Sequence, residues 1–265
     1  MSALLFEKVG AVVTLTINRP ESRNPLGEEG DGLLFADAAE RINGDRDVRC
    51  VILTGAGSAF SAGGNLKAMR ERTGAFAGAG VHIREGYRRG IHRIVRSLWG
   101  IDVPMIAAVN GPAIGLGNDV ACLADMRIAA DNAIFGATFL KIGLVPGDGG
   151  SWILPRVIGM ARAAELVFTA DTIDAATALG WGLVSKVVPA AQLMDEARAL
   201  AARICRQPPD VLRMTKKLMR EGQGVSFETI MEMSAAYQSL AHLTEDHQEA
   251  VAAFFEKRDP QYKGR

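Results

Sequence analysis

The apolar residues near the amino terminus follow the two-residue period of a β-strand. Within residues 12–18, every second side chain is apolar, at Val13, Leu15 and Ile17. This alternation is typical of a strand that buries one face. Residues 4–7 precede it, and we expect them to form its hairpin partner.

Three later apolar runs are short enough to be strands, at residues 50–55, 105–111 and 126–130. Each of them follows a helical or loop segment. Strands that alternate with helices indicate an α/β architecture with mostly parallel pairing. The spacing of the runs is too irregular to establish an internal repeat.

Residues 83–98 show the apolar period of an amphipathic helix, at Ile83, Tyr87, Ile91, Ile94 and Leu98. The remaining surface of this predicted helix carries Arg84, Arg88, Arg89, Arg93 and Arg96. Such arginines form either a solvated face or a surface that binds RNA or phosphate, and both interpretations stay open. Residues 71–80 are rich in Gly and Ala and predict a mobile loop.

The strand pattern ends near Pro189, and helical patterns follow at residues 191–206, 210–220 and 227–257. We therefore divide the chain into an α/β core at residues 1–190 and a helical region at residues 191–265. No Pro-rich or low-complexity linker separates the two. We expect them to pack together.

Composition excludes several classes of protein. The 265 residues are 48% hydrophobic and carry 30 basic against 30 acidic side chains, so no net charge attracts nucleic acid or an anionic membrane. Cys50, Cys122 and Cys205 lack the close spacing of a disulfide framework or a zinc site. No apolar run approaches the ~20 residues that span a bilayer, and we expect a cytoplasmic protein.

Common catalytic signatures are absent, including the P-loop, the GxGxxG fingerprint, the GxSxG elbow and HExxH. The four histidines do not cluster at metal-ligand spacing. Two glycine-rich turns remain, at residues 60–69 and 110–129, each after an apolar strand. Where such turns open helices, their N–H groups favour negative charge, so two facing turns would hold an oxyanion.

These turns, FSAGGNLKAM and VNGPAIGLGNDVACLADMRIAADNAIFG, together with GLVPGDGG and GLVSKVVP, are the most specific segments of a wider resemblance. The chain resembles the enoyl-CoA hydratase/isomerase family, or crotonase superfamily, along nearly its whole length. The resemblance implies a spiral of ββα units with a C-terminal helical region that forms trimers, which often pair into hexamers. It also implies an acyl-CoA thioester as substrate, with coenzyme A as part of it and no separate cofactor or metal.

The resemblance also assigns roles to individual residues. The backbone N–H groups of Gly64 and Leu116 would form the oxyanion hole that stabilises an enolate. Ala62 and Leu66 match positions beside the adenine end of coenzyme A. Asn65 replaces the usual aspartate in this segment.

Three further residues match weaker coenzyme A contacts. Phe254 and Lys257 occupy places from which a neighbouring subunit commonly supplies an aromatic ring and a lysine. Arg23 is a candidate for a phosphate contact. Packing or solvation is the alternative for each.

The proton-transfer residues depart from the hydratase pattern. Asp119 stands where one hydratase glutamate is usual, and Phe139, which cannot exchange a proton, stands at the other. We expect Asp119 to act as a base or to position water, or else to cap a helix. Asp148 lies one place after the functional aspartate of related isomerases and dehalogenases. Its carboxylate either reaches the acyl group or accepts hydrogen bonds from the N–H groups of its own turn.

Asp125 matches a structural position of the family rather than a catalytic one. The combined pattern favours an enzyme that stabilises an enolate, with enoyl-CoA hydration first and double-bond isomerisation next. Hydrolysis, dehalogenation and non-catalytic acyl-CoA binding are further alternatives. Phe139 indicates a modified acyl pocket.

Overall fold

The computed structural model describes residues 2–265 as strands and helices in alternation, followed by a helical C-terminal region. The strands are β1 (Leu4–Val9), β2 (Val12–Ile17), β3 (Pro25–Leu26), β4 (Cys50–Gly55), β5 (Gly63–Gly64), β6 (Met105–Val109), β7 (Ala113–Ile114), β8 (Met126–Ala130), β9 (Ile134–Gly136), β10 (Ile173–Asp174) and β11 (Lys186–Val188). The helices are α1 (Asp31–Gly44), α2 (Leu66–Glu71), α3 (Gly80–Arg89), α4 (Ile91–Trp99), α5 (Leu116–Leu123), α6 (Gly150–Ile158), α7 (Met160–Thr169), α8 (Ala175–Trp181), α9 (Leu193–Ile204), α10 (Pro209–Glu221), α11 (Phe227–His242) and α12 (Glu245–Glu256).

Six strands form the large sheet in the order β1-β2-β4-β6-β8-β11. Its β1–β2 pair is antiparallel, and every other pair is parallel. The mostly parallel sheet and the N-terminal hairpin predicted from the sequence are therefore confirmed.

Two small sheets form a second layer, β3-β5 and β7-β9-β10. Along the chain, one strand enters the large sheet, the next enters a small sheet, and a helix follows. The units β2–β3–α1, β4–β5–α2, β6–β7–α5 and β8–β9–α6 all repeat this order. This is the expected spiral of ββα units, and its turns between small-sheet strands and helices all fall in one layer.

Both faces of the central strands β4 and β6 are buried, as is usual in a parallel sheet. On β4, Val51 and Leu53 pack into the main core, and Cys50 and Ile52 point to the opposite face. Helix α9 covers that opposite face with Leu193 and two alanines. The first helix of the C-terminal region thus packs directly on the α/β core, and the division at residue 190 stays a prediction.

The single helix predicted over residues 83–98 is wrong. Helix α3 ends at Arg89 and α4 starts at Ile91, because Gly90 adopts φ −98° and ψ −92°, outside the helical region. The apolar spacing carries on across this break, so periodicity alone does not reveal it. The loop before α3 contains a 3₁₀ turn at Gly74–Phe76 with Phe76 buried, and its mobility stays a prediction.

The C-terminal helices also differ in their bounds. Residues 227–257 form two helices, α11 and α12, because the Thr244 side chain accepts the His247 N–H at 3.0 Å and caps a new helix. Helix α9 begins two residues later than expected, after a 3₁₀ turn at Ala190–Gln192. Among residues 2–265, no helix is both long and apolar enough to cross a membrane.

Candidate active site

Two glycine-containing turns lie side by side in the second layer. Ser61 and Ala113 form a parallel β-bridge, and the Ile114 N–H donates to the Ser61 carbonyl at 3.0 Å. The buried Ser61 hydroxyl donates to the Asn24 carbonyl at 2.7 Å and accepts the Gly63 N–H at 3.1 Å. These bonds hold the segment that leads into β5 against β7.

Gly63 permits this close approach. Its φ is +91°, and a Cβ atom there would lie 2.5 Å from the Ile114 carbonyl oxygen and 3.5 Å from the Leu116 nitrogen. A side chain would therefore separate the two turns. Because Gly63 has no side chain, the backbone that leads to Gly64 lies close to the N–H group of Leu116, the first residue of α5.

A cavity of about 110 Å³ opens at these turns. It is lined by six of the residues singled out in the sequence, Ala62, Gly64, Leu66, Leu116, Phe139 and Asp148. Leu116 is the first residue of α5, where helical geometry provides no acceptor for the N–H group within the helix. The cavity thus joins the backbone of both glycine-rich turns to one buried carboxyl group.

Asp148 is the carboxyl group that reaches the cavity. It lies in the loop before α6, is 5% exposed, and lines the wall together with Gly147. Its Oδ1 atom has no hydrogen-bond partner among the described residues. Burial raises the pKa of Asp148, which moves it toward the range of a general base at neutral pH.

Asp119 lies behind Asp148 and does not line the cavity. It sits inside α5, so it is not the helix N-cap that the sequence left open. Its Oδ1 atom accepts the Asn118 amide at 3.3 Å, and its Oδ2 atom has no partner. Burial, followed by the negative charge of Asp148, raises the pKa of Asp119 well above its usual value.

The backbone of α6 makes room for this second carboxyl group. A Cβ atom at Gly150 would lie 2.0 Å from Asp119 Oδ2. The charge of Asp148 disfavours ionisation of Asp119, since two like charges are costly in a buried site. The pair Asp119–Asp148 therefore forms an acid/base unit of which only Asp148 meets the cavity.

Phe139 and Tyr87 form the apolar side of the cavity. The Phe139 ring lies 3.7 Å from the point where a Gly115 Cβ would stand, so it packs over the turn that precedes α5. Burial and the charge of Asp148 raise the pKa of the Tyr87 hydroxyl. The sequence placed Tyr87 on the apolar face of a helix and did not reveal this position.

The residues expected at coenzyme A divide into two groups. The Ala62 N–H donates to the Arg23 carbonyl at 2.8 Å, and both residues are exposed, as is Leu66. Phe254, which is 79% exposed, and Lys257 lie at the end of α12 and do not line the cavity of their own chain. A role for these two at a cavity requires a neighbouring subunit.

Two residues outside the cavity have structural roles. Asn65 caps α2, since its side chain accepts the Ala68 N–H at 3.0 Å, a role for which aspartate and asparagine are equally suited. Asp125 accepts the Met105 N–H at 2.7 Å and pairs with Lys216 and Arg220. Its expected structural role is confirmed by these contacts.

The sequence profile described as enoyl-CoA hydratase/isomerase matches residues 7–265. The chain belongs to this family. It is 36% identical to a 1,2-epoxyphenylacetyl-CoA isomerase of Escherichia coli over the full length of both proteins. It is 37% identical to a short-chain-enoyl-CoA hydratase of Clostridium acetobutylicum, with 97% of this chain and 96% of that protein covered.

The fold agrees with this membership. The crystal structure of an enoyl-CoA hydratase from Bacillus anthracis superimposes with a TM-score of 0.91 at 34% identity, and each chain is covered completely. This member of the family is therefore an enzyme with hydratase/isomerase-type activity on acyl-CoA. The named relatives include both hydratases and an isomerase.

Proposed function

We propose that this enzyme moves the double bond of an enoyl-CoA by proton transfer through Asp148. The observation that carries the proposal is that Asp148 lines the cavity, whereas Asp119 lies behind it and Phe139 occupies the place of the second hydratase glutamate. One carboxylate suffices to take a proton from one carbon and return it to another. Directed addition of water usually needs two.

The proposed reaction starts from a 3-enoyl-CoA whose carbonyl oxygen accepts the N–H groups of Gly64 and Leu116. Asp148 removes a proton from C2, and the electron pair of that C–H bond forms a dienolate. The negative charge on oxygen is stabilised by the two backbone donors, each of which contributes about 3–4 kcal/mol in such sites. Asp148 then returns the proton to C4, which leaves the conjugated 2-enoyl-CoA.

Asp119 supports this cycle through the shared proton. Its raised pKa keeps it protonated while Asp148 is ionised, so it donates toward the base instead of repelling it. Asp148 also has a raised pKa, caused first by burial. Activity is therefore expected to increase with pH through the raised pKa of the pair.

The test follows a 3-enoyl-CoA and a 2-enoyl-CoA in isotopically labelled water. Wild-type protein is expected to convert a 3-enoyl-CoA to the 2-enoyl isomer with deuterium exchange in D₂O, followed by ultraviolet absorbance and mass spectrometry. Asp148→Asn should lower kcat by about 10²- to 10⁴-fold, and Asp119→Asn should lower it less. Asp195→Asn, which changes an exposed carboxylate, is the matched control.

Hydration is the second candidate, supported by relatives named as hydratases at 37% identity. In that case a 2-enoyl-CoA would incorporate ¹⁸O from labelled water, and Asp119 would supply the second proton-transfer group. Hydration without isomerisation would overturn the proposal above. Coenzyme A binding without turnover of either substrate would indicate a non-catalytic binder.

We also propose that copies of the chain assemble through the C-terminal helices, as trimers or pairs of trimers. Helix α11 has 16 residues and none is buried, although Phe227, Met231 and Leu240 are large and apolar. The same assembly would bring Phe254 and Lys257 to the coenzyme A of a neighbour. The cytoplasmic location stays a prediction.

A further inference from the structure

A second, basic groove adjoins the cavity. Its volume is about 510 Å³, and Arg84, Arg88, His92 and Arg96 line it. Tyr87, Leu144 and Gly147 form walls of both the groove and the cavity. The two spaces are thus neighbours across a shared wall that ends beside Asp148.

The charge of this groove is unbalanced. Glu85 is the acidic partner of both Arg84, at 3.9 Å, and Arg88, at 3.0 Å, and it also pairs with Arg89 outside the groove. Arg96 has no acidic partner among residues 2–265. Among the described residues, Glu85 is therefore the one salt-bridge partner of the groove's three arginines, in a protein whose formal net charge is zero.

The groove adjoins the part of the cavity next to Asp148, through Gly147. It shares no residue with the mouth formed by Ala62 and Leu66, where coenzyme A is expected. The wall beside Asp148 is held from the groove side, since His92 Nε2 lies 2.7 Å from the Gly147 carbonyl oxygen. An acyl chain that leaves the cavity beside Tyr87 and Gly147, which border both spaces, would enter the groove.

The groove also has an apolar side. Leu144 and Val145 are 36% and 76% exposed and line it opposite the charged side chains. A ligand that fits both sides has an apolar stem and an anionic end. Because the Asp119–Asp148 pair would repel such an anion inside the cavity, the arginines favour its placement beyond them.

We infer that the acyl group of the substrate ends in a carboxylate, which Arg88 and Arg96 bind in the groove. The inference rests on the proposed function, because it takes the thioester to lie at the two glycine-rich turns. Guanidinium groups bind carboxylates through paired N–H donors. The substrate class is therefore an enoyl-CoA with a second, terminal carboxylate.

The test compares two enoyl-CoA substrates of equal chain length, one ending in a carboxylate and the other in a methyl group. Wild-type protein is expected to prefer the carboxylate substrate about tenfold or more in kcat/KM, the value of one charged hydrogen bond. The double variant Arg88→Gln, Arg96→Gln should bring this ratio close to one. Arg89→Gln, Arg93→Gln changes two exposed arginines outside the groove and should keep the ratio.

Two further arms separate the sources of the anion. If the groove bound a coenzyme A phosphate instead, the Arg88→Gln, Arg96→Gln variant would show the same decrease in kcat/KM for both substrates. Wild-type protein would then also show a lower kcat/KM for dephospho-CoA thioesters. That outcome, or equal kcat/KM for the two substrates in wild type, would overturn the inference. If neither substrate turns over, the proposed function fails, and calorimetric affinities of the same two thioesters still test the groove.

Discussion

At the scale of single residues, environment separates the roles of two identical side chains. Asp148 meets the cavity, and Asp119 is enclosed between α5 and the backbone of Gly150. Both pKa values are raised, mainly by burial. The sequence ranked Asp119 first because it matches a family position, whereas the cavity wall favours Asp148 as the residue that contacts substrate.

The raised pKa of Asp119 predicts a gain of stability on its removal. At a pH above the ordinary aspartate pKa, the unfolded chain has released the proton of Asp119, whereas the folded chain still holds it. The contribution of Asp119 to stability is therefore fully present at low pH and is lost as the pH increases through its folded pKa. Asp119→Asn keeps the shape without the charge. We expect a higher Tm than wild type at pH 7.5 and a similar Tm at pH 4.

Thermal unfolding followed by circular dichroism at the two pH values measures this difference. Asp195→Asn, in which an exposed carboxylate is changed, serves as the control and should leave the pH dependence of wild type intact. An Asp119→Asn protein whose Tm changes with pH in the same way as wild type would contradict the assignment.

At the scale of elements, the arginines of the groove come from two helices. Arg84 and Arg88 belong to α3 and Arg96 to α4, and all three line one groove. Together with His92 they recur every fourth residue, which makes them neighbours along one side of a helix. The arginine pattern was therefore visible in the sequence, whereas the cavity that adjoins it was not.

Helix α3 also packs on the loop before it through a glycine. A Cβ atom at Gly86 would lie 2.4 Å from the Ala75 carbonyl oxygen, whereas one at Gly80 would meet nothing within 4 Å. Gly86→Ala is therefore expected to destabilise this contact by about 1–3 kcal/mol. Because the next residue, Tyr87, lines the cavity, KM should also increase.

Limited proteolysis at residues 71–80, together with steady-state kinetics, measures both effects. Gly80→Ala lies at the start of the same helix and is the matched control, with little change expected in either. Equal protease sensitivity of the two variants would show that the Gly86 contact does not hold the loop.

Asp125 joins α10 to the large sheet. It pairs with Lys216 at 2.8 Å and Arg220 at 3.0 Å, and Lys216 is only 6% exposed. Asp125→Ala leaves the buried ammonium group without its partner, which should lower the free energy of unfolding by about 3–5 kcal/mol. Denaturant unfolding measures this loss.

The control for this prediction lies on the same helix. Asp210 pairs with the exposed Arg46 at 2.7 Å, and Asp210→Ala should cost less than about 1 kcal/mol because the pair is solvated. A cost for Asp125→Ala no larger than this would mean that Lys216 is satisfied without it. Without Asp125, the Lys216 Nζ atom would keep its hydrogen bond to the Val103 carbonyl oxygen, at 2.6 Å.

At the scale of the whole molecule, the long helix α11 keeps all 16 of its residues at least partly exposed. The exposed apolar residues of α11 indicate a partner, and a second copy of the chain is the partner we propose. Leu240→Asp is expected to reduce the oligomeric state, measured by light scattering, and to keep the circular dichroism spectrum. Leu33→Asp, at another exposed apolar residue of a helix, should not change the assembly.

Loss of assembly should also weaken coenzyme A binding, if Phe254 and Lys257 act on a neighbouring subunit. In that case Leu240→Asp and Lys257→Ala would both increase KM. A monomeric wild-type protein, or one whose KM does not respond to either change, would contradict this arrangement.

The order of residues along the chain was enough to predict the architecture and most residues of the candidate site. The pattern of apolar residues placed four strands within two residues of their observed ends. Alternation indicated β2, and short apolar runs indicated β4, β6 and β8; both signals are local properties of the chain. The resemblance carried by the glycine-rich turns led to Gly64, Leu116, Phe139 and Asp148, which line one cavity. These features depend on neighbours in the sequence.

Other features of the site follow only from contacts between residues that are distant in the chain. The tertiary structure placed Asp148 in front of Asp119, brought Tyr87 into the cavity, divided residues 83–98 at Gly90, and set the arginine-lined groove beside the cavity. Each of these features depends on contacts between residues that are distant in the chain. A pKa shift by burial and a cavity wall both require those contacts. Proximity in space, rather than order along the chain, therefore set the chemistry proposed for this enzyme.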